Sequence, residues 1–353
     1  MNKFRNFTLT FIVMALFLTL TGCDSKEKEP ESSGSDLLTV DTSEIKGTPI
    51  TDNSFADFNL SYTVTKGNTY KYKLTSITEE TQSLQTDTTQ TMRAKQQISY
   101  LIEVKVEEVE ADKTMELSFN FKEVAVDGSF NEEKYKYISS AKNDTSVEDR
   151  FLEYQALINN PFNARVDKHG NISEIYRTTK IADKILELRK MKDSISAEEK
   201  QSFVQDITDG ALRPVVMQLF RKLPEAKVAK DSTWYFPQKP ASFQIFAIQN
   251  THGFKLSSFE KAGDDTYAVI DASLISTAEL APDAKANGIS MKNTGYSGSG
   301  KLYFNVGKGV FEKSKTLTTL TVELDMKAPP GAPFSSAKRK QNTRTTNILQ
   351  LVK

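Results

Sequence analysis

Cysteine, histidine and tryptophan are nearly absent: 353 residues contain one, two and one of them. A single cysteine, Cys23, closes no internal disulfide, so stability must come from a buried core, which a chain of this length can build. The two histidines, His169 and His252, have no partner at the spacing of H-E-x-x-H, and C-x-x-C is impossible with one cysteine, so no metal site is expected. No G-x-S-x-G elbow occurs. "GYSGSGKLYF" is glycine-rich but lacks the spacing of a phosphate loop and runs into strand-like residues, so it reads as a flexible loop before a strand. Net charge is also missing, with 46 basic residues against 46 acidic, and nothing in that balance draws the chain to nucleic acid. After residue 22 no apolar run approaches the roughly 20 residues of a transmembrane helix. No cofactor is implied, and no residue is assigned a catalytic role.

What is present begins at the start. "MNKFRNFTLTFIVMALFLTLTGC" has a basic n-region at Lys3 and Arg5, an apolar run from about Phe7 to Leu20, and small residues before the cysteine. This is the pattern of a secretory signal peptide over residues 1–22. Leu20-Thr21-Gly22-Cys23 matches the bacterial lipobox. Cleavage is therefore expected between Gly22 and Cys23, with Cys23 acylated, palmitate among its chains, and membrane lipid as its partner. Acylation would account for the lone thiol, and several chains together would give stable anchoring. Removal of Lys3 and Arg5 leaves 44 bases and 46 acids.

Residues 23–57 are poor in aromatics and rich in Lys, Glu, Ser, Thr and Asp, which reads as a flexible tether. Asp24 resembles an inner-membrane retention signal. The charged "DSKEKEPE" resembles a surface-export signal of Bacteroidetes. The expected address is the bacterial cell envelope, lipid-anchored, with the outer membrane favoured over the inner and the face undecided.

Residues 58–353 read as one β-rich body. In "ISYLIEVKVEE", Ile98, Tyr100, Ile102, Val104 and Val106 share a face; in "TMELSFNFKEV", Met115, Leu117, Phe119 and Phe121 do; in "KGNTYKYKLTS", Tyr70, Tyr72 and Leu74 do. Strict alternation predicts antiparallel strands with one dry face, and "EADK" predicts a hairpin turn between two of them. Helices are predicted at "SVEDRFLEYQALINNP" with Ser146 as N-cap, at "TTKIADKILELRKM", at "SAEEKQSFVQDI" with a Ser196/Glu199 capping box, and at "ALRPVVMQLFRKLP". Asp209-Gly210 is expected to end the third, and Pro214 to stand near the start of the fourth. Phe203, Ile207, Val216 and Phe220 form a stripe that could cover the sheet. Turns are expected at "DKHGN" and "THGF", Trp234 at a strand start in the core, and "AKRK", Ala337 to Lys340, in a solvated loop.

The two ends of this body echo each other. "KGNTYKYKL" is answered by "KDSTWYFPQ", "VEEVEADKTMELSF" by "LSSFEKAGDDTYAVIDASL", and "FNARVDKHGNISEI" by "FNVGKGVFEK", in the same order. The expected fold is α+β and antiparallel β-rich, a possible half-barrel. It has two pseudo-repeated halves, 58–177 and 224–353, joined by a helical connector over about 178–223. Lys66-Gly67-Asn68-Thr69-Tyr70-Lys71-Tyr72, Gly170-Asn171-Ile172-Ser173-Glu174-Ile175, Leu223-Pro224 and Asp231-Ser232-Thr233-Trp234 together resemble an uncharacterised Bacteroidetes-type lipoprotein family with a KGxxYxY strand. The resemblance spans roughly residues 60–325 and rests on structural motifs, so it implies a family without a reaction. Curved sheets capped by helices also resemble lipoprotein carriers.

The function expected is a non-catalytic, membrane-anchored binding or accessory protein, with an apolar ligand or an envelope protein as its partner. The alternatives are an envelope hydrolase acting on glycan or peptide through paired carboxylates, and a structural subunit of an outer-membrane complex.

Overall fold

The computed structural model describes residues 36–243, 245–327 and 335–352. The signal peptide, Gly22, Cys23 and the first part of the expected tether lie outside the described residues.

Period-two patterning becomes a single open antiparallel sheet. Strands β1 (Thr48–Pro49), β2 (Thr69–Gln85), β3 (Thr89–Val109), β4 (Met115–Phe130), β5 (Glu133–Ile138), β6 (Phe162–Val166) and β7 (Ile172–Tyr176) precede the main helices. After them come β8 (Thr233–Pro237), β9 (Ala241–Phe243), β10 (Phe246–Ala262), β11 (Asp265–Leu280), β12 (Ile289–Asn305), β13 (Val310–Lys327) and β14 (Ser336–Val352). Their order across the sheet is β1-β10-β11-β12-β13-β14-β2-β3-β4-β6-β7, with β5 on β4 and both β8 and β9 on β10. The halves repeat the same succession of antiparallel pairings: β2-β3-β4-β6-β7 in one, β8-β10-β11-β12-β13 in the other. β14 joins them by pairing β13 on one side and β2 on the other.

The "EADK" hairpin forms, with Asp112 accepting the Thr114 amide at 2.9 Å. A bulge on β4 puts Leu101 opposite Glu123 and Ile102 opposite Phe121. It shifts the inward phase of β4 from Met115, Leu117, Phe119 and Phe121 to Val124 and Val126, which keeps all six buried.

Helices α1 (Thr145–Arg150), α2 (Leu152–Leu157), α3 (Thr179–Leu188), α4 (Ala197–Ile207) and α5 (Arg213–Leu219) pack on the inner face; a short α6 (Pro282–Ala286) links β11 to β12. The Ser196/Glu199 capping box closes the start of α4, and Pro214 stands in the first turn of α5. Two helix expectations need correction. The cap of α1 is Asp144, not Ser146, and a break at Phe151 splits the first helix in two. Asp209-Gly210 does not end α4. The chain widens into a π turn over Thr208–Leu212 and continues into α5. Thr208 Oγ donates back to the Val204 carbonyl at 2.7 Å, and Asp209 pairs with Arg213 at 3.0 Å across the widened turn.

One core joins both halves through the helices: Tyr72, Val104, Phe119 and Phe162 from the first, Leu256, Ile270, Leu302 and Phe311 from the second, and Ile185, Val216 and Phe220 between them. Leu60 to Val64 closes one end. The Tyr62 amide donates to the Lys168 carbonyl at 2.9 Å in the β6–β7 turn, and the Thr63 amide to the Gly309 carbonyl at 3.3 Å in the β12–β13 turn.

Three further expectations fail for one reason, that strands here are long enough to absorb turn-like residues. His252 sits in the middle of β10, not in a turn. "GYSGSGKLYF" lies within β12; a Cβ on Gly300 would come within 2.6 Å of the Lys315 carbonyl, so the glycine permits close pairing with β13. "AKRK" opens β14, with Ala337 buried, Arg339 hydrogen-bonded to Gln341 and Lys340 paired to Glu323 at 3.0 Å.

The tether expectation is corrected from Asp36 onward. Residues 36–47 cross the outer face of the sheet as a strap, and at the β10 edge the chain turns so that Ile50 and Phe55 pack against the main core. Leu37 is buried against Ala125 and Ile138, Ile45 packs on Tyr267, Val269 and Tyr303, and Phe55 stacks on Phe259 with centroids 4.3 Å apart. Asp41 pairs with Lys313 at 2.6 Å and Glu44 with Lys301 at 3.0 Å. Thr48 and Pro49 add to the edge of β10. A few apolar residues spaced along a polar segment suffice, because the strands present apolar side chains outward to receive them.

Candidate functional site

The helices do not fill the inner face. Along β2 the inward positions run Tyr72, Leu74, Ser76, Thr78, Glu80, Gln82: the first two are buried core, and beyond them the row turns polar. β14 supplies Thr343, Thr345 and Asn347, β13 supplies Thr316 and Thr318, and β3 supplies Met92 to Tyr100 at alternate positions. β10 adds Asn250, His252 and Phe254. Leu157 of α2, Leu212, and Val215 and Gln218 of α5 form the helical wall. Together they enclose a cavity of about 520 Å³. Its floor is continuous with the core through Leu74, Phe121 and Phe254, while Tyr296 lies toward a separate apolar cluster with Phe246, Ile248 and Leu280.

Glu80 is the one carboxylate among the described lining residues. It accepts from Gln341 Nε2 at 3.1 Å, and burial raises its pKa against the pull of Arg339. The paired carboxylates of a glycosidase are therefore not assembled in this cavity. Tyr100 and Tyr154 share a hydrogen bond, and burial keeps both hydroxyls protonated far above neutral pH. Arg150 lies 4.5 Å from the Tyr135 ring centroid and pairs with Glu133 at 3.4 Å.

Arg221 differs from these. It follows α5, and burial lowers its guanidinium to about 10, which still leaves it charged at neutral pH. Among the described residues its side chain has one acceptor, Gln218 Oε1, its Nε has none, and no carboxylate pairs with it. His252, facing the same cavity, is held below its ordinary pKa by burial and by the Arg221 charge, so it is neutral at pH 7.

His169 stands in the expected "DKHGN" turn, where Asp167 accepts from its amide at 2.8 Å, and it does not line the cavity. Trp234 is at the start of β8, half-buried, stacked on Phe254 with centroids 5.8 Å apart. Cys23 and Gly22 are outside the described residues. No described cluster of His, Cys, Asp and Glu could hold a metal ion, and no described helix is long and apolar enough to cross a membrane. Sequence reading missed the cavity and Arg221. The available signal for the cavity was the change from apolar to hydroxyl and amide side chains along one face of β2. Arg221, in "LFRKLP", carries none.

No curated protein sequence matches the chain. Among solved structures it is similar to lipovitellin, from a structure of lipid–protein interactions, with TM-score 0.41 and 9% identity over 82% of this chain and 26% of that one. It is also similar to the outer membrane protein OprG from Pseudomonas aeruginosa, with TM-score 0.17 and 7% identity over 82% of this chain and 99% of that one. An outer membrane channel from Pseudomonas putida F1 gives TM-score 0.16 and 6% identity over 86% and 100%. All three fall short of a shared fold. In sequence, a family model matches residues 112–310, and the chain belongs to that family of unknown function, DUF6263.

Proposed function

We propose that this protein is a non-catalytic lipoprotein of the bacterial envelope, held to the membrane by acylated Cys23, which binds a single-chain amphiphile in its inner cavity. The observation that carries the reading is the cavity itself. It lies in the size range of ligand sites, its floor is apolar and continuous with the core, and its far wall is hydroxyl- and amide-lined. An acyl chain would bury against Leu74, Phe121, Leu212 and Phe254, and polar atoms would meet the threonines. The outer membrane is the favoured address.

Residues 24–353 contain every described element and the whole described core, so a soluble form lacking the signal and Cys23 keeps the fold. That form should bind the neutral apolar probe N-phenyl-1-naphthylamine saturably, at one site per chain. Val215→Trp fills the helical wall and should abolish binding while the denaturation midpoint stays near wild type. No saturable binding by the wild-type form would overturn the reading. Labelled palmitate should enter the full chain and not Cys23→Ser.

A further inference from the structure

We propose that Arg221, with Gln218 and His252 facing the same cavity, forms a headgroup site that makes the ligand an anionic amphiphile, carrying a carboxylate or phosphate oxyanion. This rests on the amphiphile-binding reading above and deepens it.

A guanidinium has five donors, and taking its charge out of water is costly unless it is paired and hydrogen-bonded. Among the described residues Arg221 has a single side-chain acceptor, the neutral amide oxygen of Gln218, and its buried Nε has no partner. The nearby end of α5 offers partial negative charge, but a helix terminus offsets only a fraction of such a cost. The neighbouring His252 is neutral, so it adds no second buried charge and can present an N–H to an oxyanion.

The backbone beneath Arg221 is fixed. Its carbonyl accepts the buried Tyr62 hydroxyl at 2.8 Å, and the Leu223 amide donates to the His169 carbonyl at 2.8 Å. Gly170 packs so close that a Cβ there would lie 2.5 Å from the Arg221 carbonyl oxygen. A cation on an immobilised backbone, lining a cavity with its Nε donor unpaired, is preorganised for an anion and not merely accommodated. The planar fork suits two-oxygen groups, and charged hydrogen bonds of this kind are the strong ones.

The test displaces N-phenyl-1-naphthylamine from the soluble form with palmitate, with palmitoyl lysophosphatidate, and with neutral hexadecanol. Palmitate or the lysophosphatidate should displace at least about 10-fold more tightly than hexadecanol. The better of the two identifies the headgroup as carboxylate or phosphate. Arg221→Gln should bring that ratio to near one with the probe still bound, and Arg221→Lys should keep much of it. If Arg221→Gln does not fold, Gln218→Leu, which frees the guanidinium of its one side-chain acceptor, should raise the ratio of anionic to neutral displacement, each measured against that variant's own probe affinity, and an unchanged ratio overturns the headgroup site. Equal displacement by anionic and neutral compounds in the wild type overturns the headgroup site and leaves the cavity reading standing, as does a ratio that survives Arg221→Gln. Failure of the probe to bind at all removes both.

Discussion

Phe119 and Gly170 show how differently single residues are constrained here. Phe119 is wholly buried, stacked on Phe162 at 5.1 Å and edge-on to Phe220 at 6.0 Å. It belongs to the packed floor and not to the cavity wall, so Phe119→Ala should cost about 3–5 kcal/mol, read by chemical denaturation. A loss below about 1 kcal/mol would mean that the inner face around it is open. Gly170 has φ +81° and meets the Arg221 carbonyl; Gly67 has φ +86° and nothing within 4 Å of an added Cβ. Gly67→Ala should cost only the backbone strain, about 1 kcal/mol. Gly170→Ala should cost that and the clash besides, and should also weaken anion selectivity by displacing Arg221. Equal losses at the two glycines would show that the β6–β7 turn yields freely and does not pin the arginine.

At the level of elements, the strap is where composition misleads. Leu37, Ile45, Ile50 and Phe55 are too few for a helix or strand stripe, and the segment between them is charged, so it reads as a spacer. The strap docks because the outer face of the sheet supplies what it lacks: Ala125 and Ile138 for Leu37, Tyr267 and Val269 for Ile45, and lysines for its acids. A form beginning at Asp57 should lose at least about 2 kcal/mol relative to one beginning at Asp24, the scale of one buried Leu side chain. Identical denaturation curves would return the segment to a free tether. The acids set a pH window. The Lys313 hydrogen bond lowers the pKa of Asp41, and the Lys301 hydrogen bond lowers that of Glu44. Carboxylates depressed in the folded state contribute fully above their ordinary pKa of about 4, and the contribution is lost as pH falls through the lower folded values. Both are solvent-exposed, so the effect is small. The Ile50 amide, bonded to the Phe259 carbonyl at 2.8 Å, should show a lower exchange protection factor at pH 3 than at pH 7. The strand faces at Ile98–Val106 and Met115–Phe121, the capping box and the order of the repeats were all legible, because each is a local pattern. What was not legible depends on partners distant in sequence: the strap, the π turn whose Thr208 hydroxyl bonds that of Thr178 at 2.9 Å, and Arg221, whose meaning comes from having no carboxylate partner among the described residues.

Across the whole molecule, the two halves repeat each other in topology and yet share one sheet and one core. β14, at the end of the chain, pairs with β2 from Lys71↔Val352 to Gln85↔Lys338, so the last strand stitches the second half to the first. Val104 and Phe119 belong to the same buried cluster as Leu256 and Phe311, with Ile185 and Val216 of the helices among them. Neither half can bury its inner face alone, and removing β14 would expose the paired edges Lys71 to Gln85 of β2 and Lys313 to Lys327 of β13. The chain should therefore unfold as one unit despite its length. Trp234, the single tryptophan, stacks on Phe254 in the second half and reports on that half alone. Far-UV circular dichroism reports on the whole sheet. In urea, Trp234 fluorescence and circular dichroism should trace one coincident transition, and a chain ending at Met326 should show no cooperative transition by either probe. A Trp234 transition at clearly lower urea than the circular dichroism midpoint would mean that the second half melts independently. In that case the repeat would be a pair of separable units, and the cavity between the sheet and the helices would open before the fold is lost.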